Sequence, residues 1–152
     1  MKTRTNAIVI PYTKEGTILL QKRHSICKWG EEWSFWGGGI DAGETKEQAA
    51  RRELKEELDF TITYLHYLGS VNQVMKHVKE QVLWHITYEV FITPISSDLR
   101  QFHVQEGDGL GLFSLEDARD LKMIPIDSMV LDLLEHHLRN NIHLSVQPII
   151  NQ

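Results

Sequence analysis

Residues 38–60 read GGIDAGETKEQAARRELKEELDF. Thr45 stands three residues before Gln48, the spacing of a capping box in which each side chain satisfies the other residue's free backbone N–H. A helix is therefore predicted from Thr45 to about Leu58–Asp59. At about 100° per residue, Glu56 lies about −60° and Glu57 about +40° from Glu53, which gathers three carboxylates on one arc of that helix. Ala50, Leu54 and Leu58 recur every four residues on the adjoining stripe, the face expected to bury. The carboxylates then sit at the edge of the core, where crowded like charges repel. A hard divalent cation relieves that repulsion, and oxygen-only ligands of this kind suit Mg²⁺ or Mn²⁺.

A run of acids is usually a solvated helix face. Here a glycine-rich turn with exposed backbone groups precedes the helix, Glu44 stands at its entrance, and Arg52 is available to fix the orientation of a carboxylate. These surroundings favour the metal-binding reading.

Outward from this stretch, Asn6–Tyr12 and Thr17–Lys22 are short β-rich runs around a turn at Gly16, predicted as a hairpin. The segment from Arg23 to about Glu44 is predicted as a loop carrying Trp29, Trp33, Phe35 and Trp36. Phe60–Val74 and Gln81–Thr93 are rich in β-branched and aromatic residues and predict two or three strands. Gly107–Gly111 is predicted as a loop, Ser114 as a helix N-cap, and Ile126–Arg139 as an amphipathic helix entered through Pro125. The order implies an α/β (α+β) fold with a mixed sheet between helices.

The chain has 152 residues, a formal charge of −5, 41% apolar and 24% charged positions, and one cysteine. One domain over residues 1–140 is expected, followed by an extension at 141–152 that would add a strand or contact a second copy in a homodimer. A lone Cys27 permits no internal disulfide and no thiolate-rich zinc site. An acidic balance without a Lys/Arg block argues against duplex nucleic acid as a partner. The longest apolar runs fall far short of the roughly 20 residues of a membrane span, so no membrane partner and a cytoplasmic location are expected. Eight histidines do not suggest zinc, because neighbours such as His136 and His137 diverge by about 100° on a helix.

The glutamate-rich stretch resembles the box of the Nudix hydrolases, G-x5-E-x7-R-E-U-x-E-E-x-G-U with U a bulky aliphatic residue. Gly38, Glu44, Arg52, Glu53, Leu54, Glu56 and Glu57 match in register. Six of these are Gly or charged types, so chance agreement at a given start is about 10⁻⁷. Asp59 replaces the usual glycine, Phe60 the final aliphatic residue, and Trp36 a common proline. Since Asp is among the residues most tolerant of the left-handed conformation, a small stability cost is expected at Asp59.

The resemblance implies a Nudix-like α/β/α sandwich and hydrolysis of a diphosphate bond in a small nucleoside diphosphate-linked substrate, by water attack at phosphorus with Mg²⁺ (or Mn²⁺). It implies Glu53, Glu56 and Glu57 as metal ligands, with the carbonyl of Gly37 or Gly38 as a further one, and Glu44 and Arg52 as their supports. Glu53 or Glu106 would take the proton, with Asp108 as an alternative. Arg23 is expected at a substrate phosphate, facing away from Lys22 and His24, and Trp33 or Phe35 against the substrate. Motifs of ADP-ribose, dinucleoside polyphosphate and NADH hydrolases are not evident, which leaves a nucleoside triphosphate or nucleotide sugar favoured. The rival reading is a Nudix-fold nucleotide sensor that does not hydrolyse; the intact glutamates weigh against it. An isopentenyl-diphosphate-isomerase-like enzyme would need Cys27, whose surroundings do not resemble that motif.

Overall fold

In a computed structural model the structure is described for residues 1–23, 31–105 and 108–140. Cys27, Trp29, His24, Glu106 and the 141–152 extension lie outside the described residues. The elements are β1 (Lys2–Tyr12), β2 (Ile18–Lys22), β3 (Trp33–Ser34), β4 (Trp36–Gly39), α1 (Lys46–Leu58), β5 (His66–Lys76), β6 (Leu83–Pro94), a 3₁₀ turn (Leu99–Gln101), β7 (Gly109–Phe113), α2 (Leu115–Ala118) and α3 (Ile126–Asn140).

β1 and β2 form the expected antiparallel pair, and Gly16 turns between them at φ 88°. β1 begins earlier than expected and pairs in parallel with β6 from Lys2↔Trp84 to Tyr12↔Pro94. The other pairings are antiparallel, so the seven-stranded sheet is mixed, ordered β3-β2-β1-β6-β5 with β4 on β1 and β7 on β2. Alternation along β1 divides the core between the two faces. Ala7 and Val9 pack with Ala50, Leu54 and Leu58 of α1, while Ile8 and Ile10 pack with Val130, Leu131 and Leu134 of α3. The sheet is thus enclosed between helices.

Three expectations are corrected. The stretch predicted as one loop contains β3 and β4, because Gly37–Gly39 lie against β1 with Ala7↔Gly38 and Ile8↔Gly37 in register. Glycine is required there by close approach: Gly37 has φ 139°, and a Cβ on it would drive into the Ala7 carbonyl oxygen. Gly109–Phe113 is likewise a strand, held by β2 rather than by local propensity. The strand predicted from Phe60 begins only at His66, since the intervening segment folds onto α1 and the Ile62 carbonyl accepts from Arg51 Nη1 at 2.8 Å.

The predicted helix is present with its capping box: Gln48 N donates to Thr45 Oγ1 at 3.1 Å and Thr45 N to Gln48 Oε1 at 2.8 Å. Asp59 takes the left-handed conformation at φ 54°, ψ 38°, in the place of the usual glycine, and pairs with Lys55 at 2.8 Å. Because Thr45 caps the helix that carries the carboxylates, Thr45→Ala should cost about 1 kcal/mol. A urea midpoint equal to that of the parent would contradict this.

Candidate active site

The three carboxylates of α1 occupy different depths, in the order their helical angles dictate. Glu57, nearest the apolar stripe, is 3% exposed, whereas Glu56, on the far side of Glu53, has 56% of its side chain exposed. Glu57 Oε1 accepts from Gly37 N at 2.8 Å, tying the deepest carboxylate to β4.

Arg52 organises the rest. Its Nε and Nη2 donate to the two oxygens of Glu44 at 2.7 and 2.9 Å, a bidentate clamp. Nη1 donates to Glu53 at 2.9 Å and to Glu56 at 3.4 Å, and Nη2 also reaches the Gly39 carbonyl at 3.0 Å. One guanidinium therefore spans the loop carboxylate, two helix carboxylates and the strand end. Its hydrogen bonds hold the Glu44 carboxyl down at about 2 from an ordinary 4.5, and Glu44 in turn raises Arg52. A depressed carboxyl stabilises the fold fully above its unfolded value and loses that contribution as the pH falls towards 2. Arg52→Ala removes this contribution, so the gap in urea midpoint between parent and variant should narrow as pH falls from about 5 to about 2.5. A gap that stays constant over that window would contradict the clamp.

Gly38 matters through what it lacks. A Cβ there would stand 2.5 Å from Glu53 Oε1, so the bare glycine gives that carboxylate its place beside the strand. The donor set fits a hard divalent cation in chemistry: carboxylate oxygens on one helix face, one of them buried. In the arrangement as it stands Arg52 engages Glu53 and Glu56, and among the described residues no three His, Cys, Asp or Glu side chains are grouped closely enough to hold a metal.

Beside this cluster lies a cavity of about 370 Å³. Gly37 and Gly38 form its box end, Ile8, Phe35, Ile86 and Tyr88 contribute to its walls, Lys2 and Trp84 lie farther along β1 and β6, and Glu80 stands in the turn before β6. Arg23, expected at a phosphate, lines the cavity; its Nη1 donates to the buried Gln21 at 3.4 Å and its Nε stands 3.8 Å from Glu31. Lys22 turns elsewhere, over the Trp33 ring at 5.1 Å. Phe35, expected against the substrate, lines the cavity. Trp33 does not: its ring packs edge-on against Phe113 at 4.8 Å, and it is not among the lining residues. Asp108 is exposed beside the end of β2, its N donating to the Lys22 carbonyl at 2.9 Å. Sequence reasoning missed Lys2, Arg4 and Asn6. Their signal was a period of two, because Lys2, Arg4, Asn6 and Ile8 fall on one face of β1 and all line the cavity.

A model of the NUDIX domain matches residues 2–134. The chain belongs to the Nudix hydrolase family. It is 29% identical over 120 residues to the CTP pyrophosphohydrolase of Escherichia coli K12, covering 78% of this chain and 82% of that one. It is 50% identical over 40 residues to the oxidized purine nucleoside triphosphate hydrolase of Danio rerio, a match covering 26% of each. The chain thus spans about a quarter of one of these Nudix relatives and about four fifths of the other. The MutT protein of Methanosarcina mazei superposes with a TM-score of 0.71 at 20% identity, covering 92% of this chain and 96% of that one, a likeness of fold. Members of the family generally use divalent metal ions. Among the described residues no helix is long and apolar enough to cross a membrane.

Proposed function

We propose that this chain is a Mg²⁺-dependent pyrophosphohydrolase that cleaves a diphosphate bond in a small nucleoside diphosphate-linked substrate, a nucleoside triphosphate or nucleotide sugar. The observation that carries the reading is the Arg52-centred carboxylate cluster abutting Gly37–Gly38 at one end of a cavity of about 370 Å³. The similarity to a CTP pyrophosphohydrolase over most of both chains supports it.

In this reading Glu53 and Glu56, which Arg52 engages in the present arrangement, would converge with Glu57 on the cation, with a backbone carbonyl at Gly38 as a further ligand. When bound, the ion neutralises phosphate oxygens and lowers the pKa of a water. Arg52 and Glu44 keep the helix carboxylates on the side facing the glycines. Glu57 ties α1 to β4 through Gly37 N, which holds the helix carboxylates against the substrate-facing glycines. Arg23, braced by Gln21 and Glu31, contacts a phosphate, and Phe35 bounds the nucleoside. Glu53 accepts the proton of the attacking water; Glu106 and Asp108, which precede β7 in the sequence, are the alternatives.

A screen for phosphate and pyrophosphate release tests this. It would cover nucleoside triphosphates, nucleotide sugars, ADP-ribose, dinucleoside polyphosphates and NADH. Mg²⁺-dependent turnover of the triphosphates or nucleotide sugars is expected. Silence across the panel, combined with nucleotide-induced thermal stabilisation, would replace the hydrolase with a nucleotide sensor.

A further inference from the structure

Charge pairing along the cavity wall leaves one side chain over. Five charged Lys, Arg or Glu residues line the cavity: Lys2, Arg4, Arg23, Glu31 and Glu80. Lys2 pairs with Glu80 at 3.1 Å and Arg23 with Glu31 at 3.8 Å. Among the described residues Arg4 makes no ion pair. Arg4 is exposed, its Nε donates to Asn6 Oδ1 at 2.8 Å, and among the described residues its two terminal NH₂ groups make no hydrogen bond. Arg4 also lies over Gly39: a Cβ on that glycine would be 3.5 Å from Arg4 Nη2. Gly39 adjoins the cavity-lining Gly38, so the guanidinium stands beside the box end of the cavity, on the strand end whose carbonyl Arg52 holds.

We infer that Arg4, oriented by Asn6, is a specificity-determining anion contact that selects a nucleoside triphosphate over a nucleotide sugar. The inference rests on the pyrophosphohydrolase reading and deepens it. A diphosphate at Gly37–Gly38 brings any further phosphate to the neighbouring guanidinium, where a planar fork matches phosphate oxygens. A hexose at the same place desolvates the cation and returns hydroxyls only. Lysine there would retain the charge but lose the fork held by Asn6.

The test compares the parent with Arg4→Ala and Arg4→Lys on CTP and UDP-glucose. In parallel, calorimetry measures binding of a non-hydrolysable α,β-imido triphosphate and of UDP-glucose. For Arg4→Ala the preference for triphosphate, as a ratio of kcat/KM values, should fall about tenfold, mainly through KM. Arg4→Lys should recover part of it, and Asn6→Ala should lower it less than Arg4→Ala. A preference that changes by less than about twofold, or an equal loss on both ligands, overturns the assignment. The binding arm separates the two claims. If the parent turns over nothing but Arg4→Ala still weakens triphosphate binding selectively, the hydrolase reading fails and the Arg4 contact stands. Binding of neither ligand by the parent overturns it.

Discussion

Glu57→Gln should lower kcat by about 10²–10³-fold at saturating Mg²⁺ while leaving the protein folded. The two halves of that expectation have separate causes. Glu57 is 3% exposed and accepts from Gly37 N at 2.8 Å. A glutamine amide oxygen has the same reach and can accept the same hydrogen bond, so the tie between α1 and β4 survives. What disappears is the negative charge, which a hard cation requires, together with one acceptor oxygen, replaced by an NH₂ donor. The melting temperature should stay within a few degrees of the parent as turnover falls. Glu56→Gln, at the exposed edge of the same arc, should also lower turnover. A Glu57→Gln enzyme with the parent's kcat would remove Glu57 from the metal site.

Adjacent glycines should respond to the same substitution in opposite ways. Gly37→Ala places a Cβ against the Ala7 carbonyl of β1, a backbone atom that cannot swing aside, on a residue at φ 139°. It should cost about 4 kcal/mol or more and leave little folded protein. Gly38→Ala meets instead the end of a flexible side chain, with Glu53 Oε1 2.5 Å from the added methyl. The carboxylate is displaced and the strand is not. Turnover should drop by about 10²-fold, with a melting temperature within a few degrees of the parent. Circular dichroism melts and single-substrate kinetics on both variants decide this, and equal stability of the two would contradict the packing described.

These contrasts also explain what could be read from the chain alone. α1 was legible to its last residue because its limits are local: Thr45 and Gln48 cap each other, and Asp59 supplies the left-handed turn in place of glycine. The depth order of Glu57, Glu53 and Glu56 follows from helical periodicity. β4 was not legible, since Gly37–Gly39 have no strand propensity and are extended only because β1 pairs with them. β7 depends in the same way on β2. Trp33 was expected at substrate for its chemistry, but its position is decided by Phe113, far along the chain. Arg4 escaped notice because cations at the start of a strand look like solvated surface until β6 closes the cavity beside them.

The most direct test is ³¹P NMR of CTP incubated with the protein, with and without Mg²⁺, alongside Glu57→Gln. CMP and pyrophosphate are expected from the parent with Mg²⁺, and intact CTP both after chelation and with the variant over the same time. Cleavage that proceeds equally in the variant, or that ignores chelation, would contradict the assignment of the box carboxylates to a metal-dependent hydrolytic site.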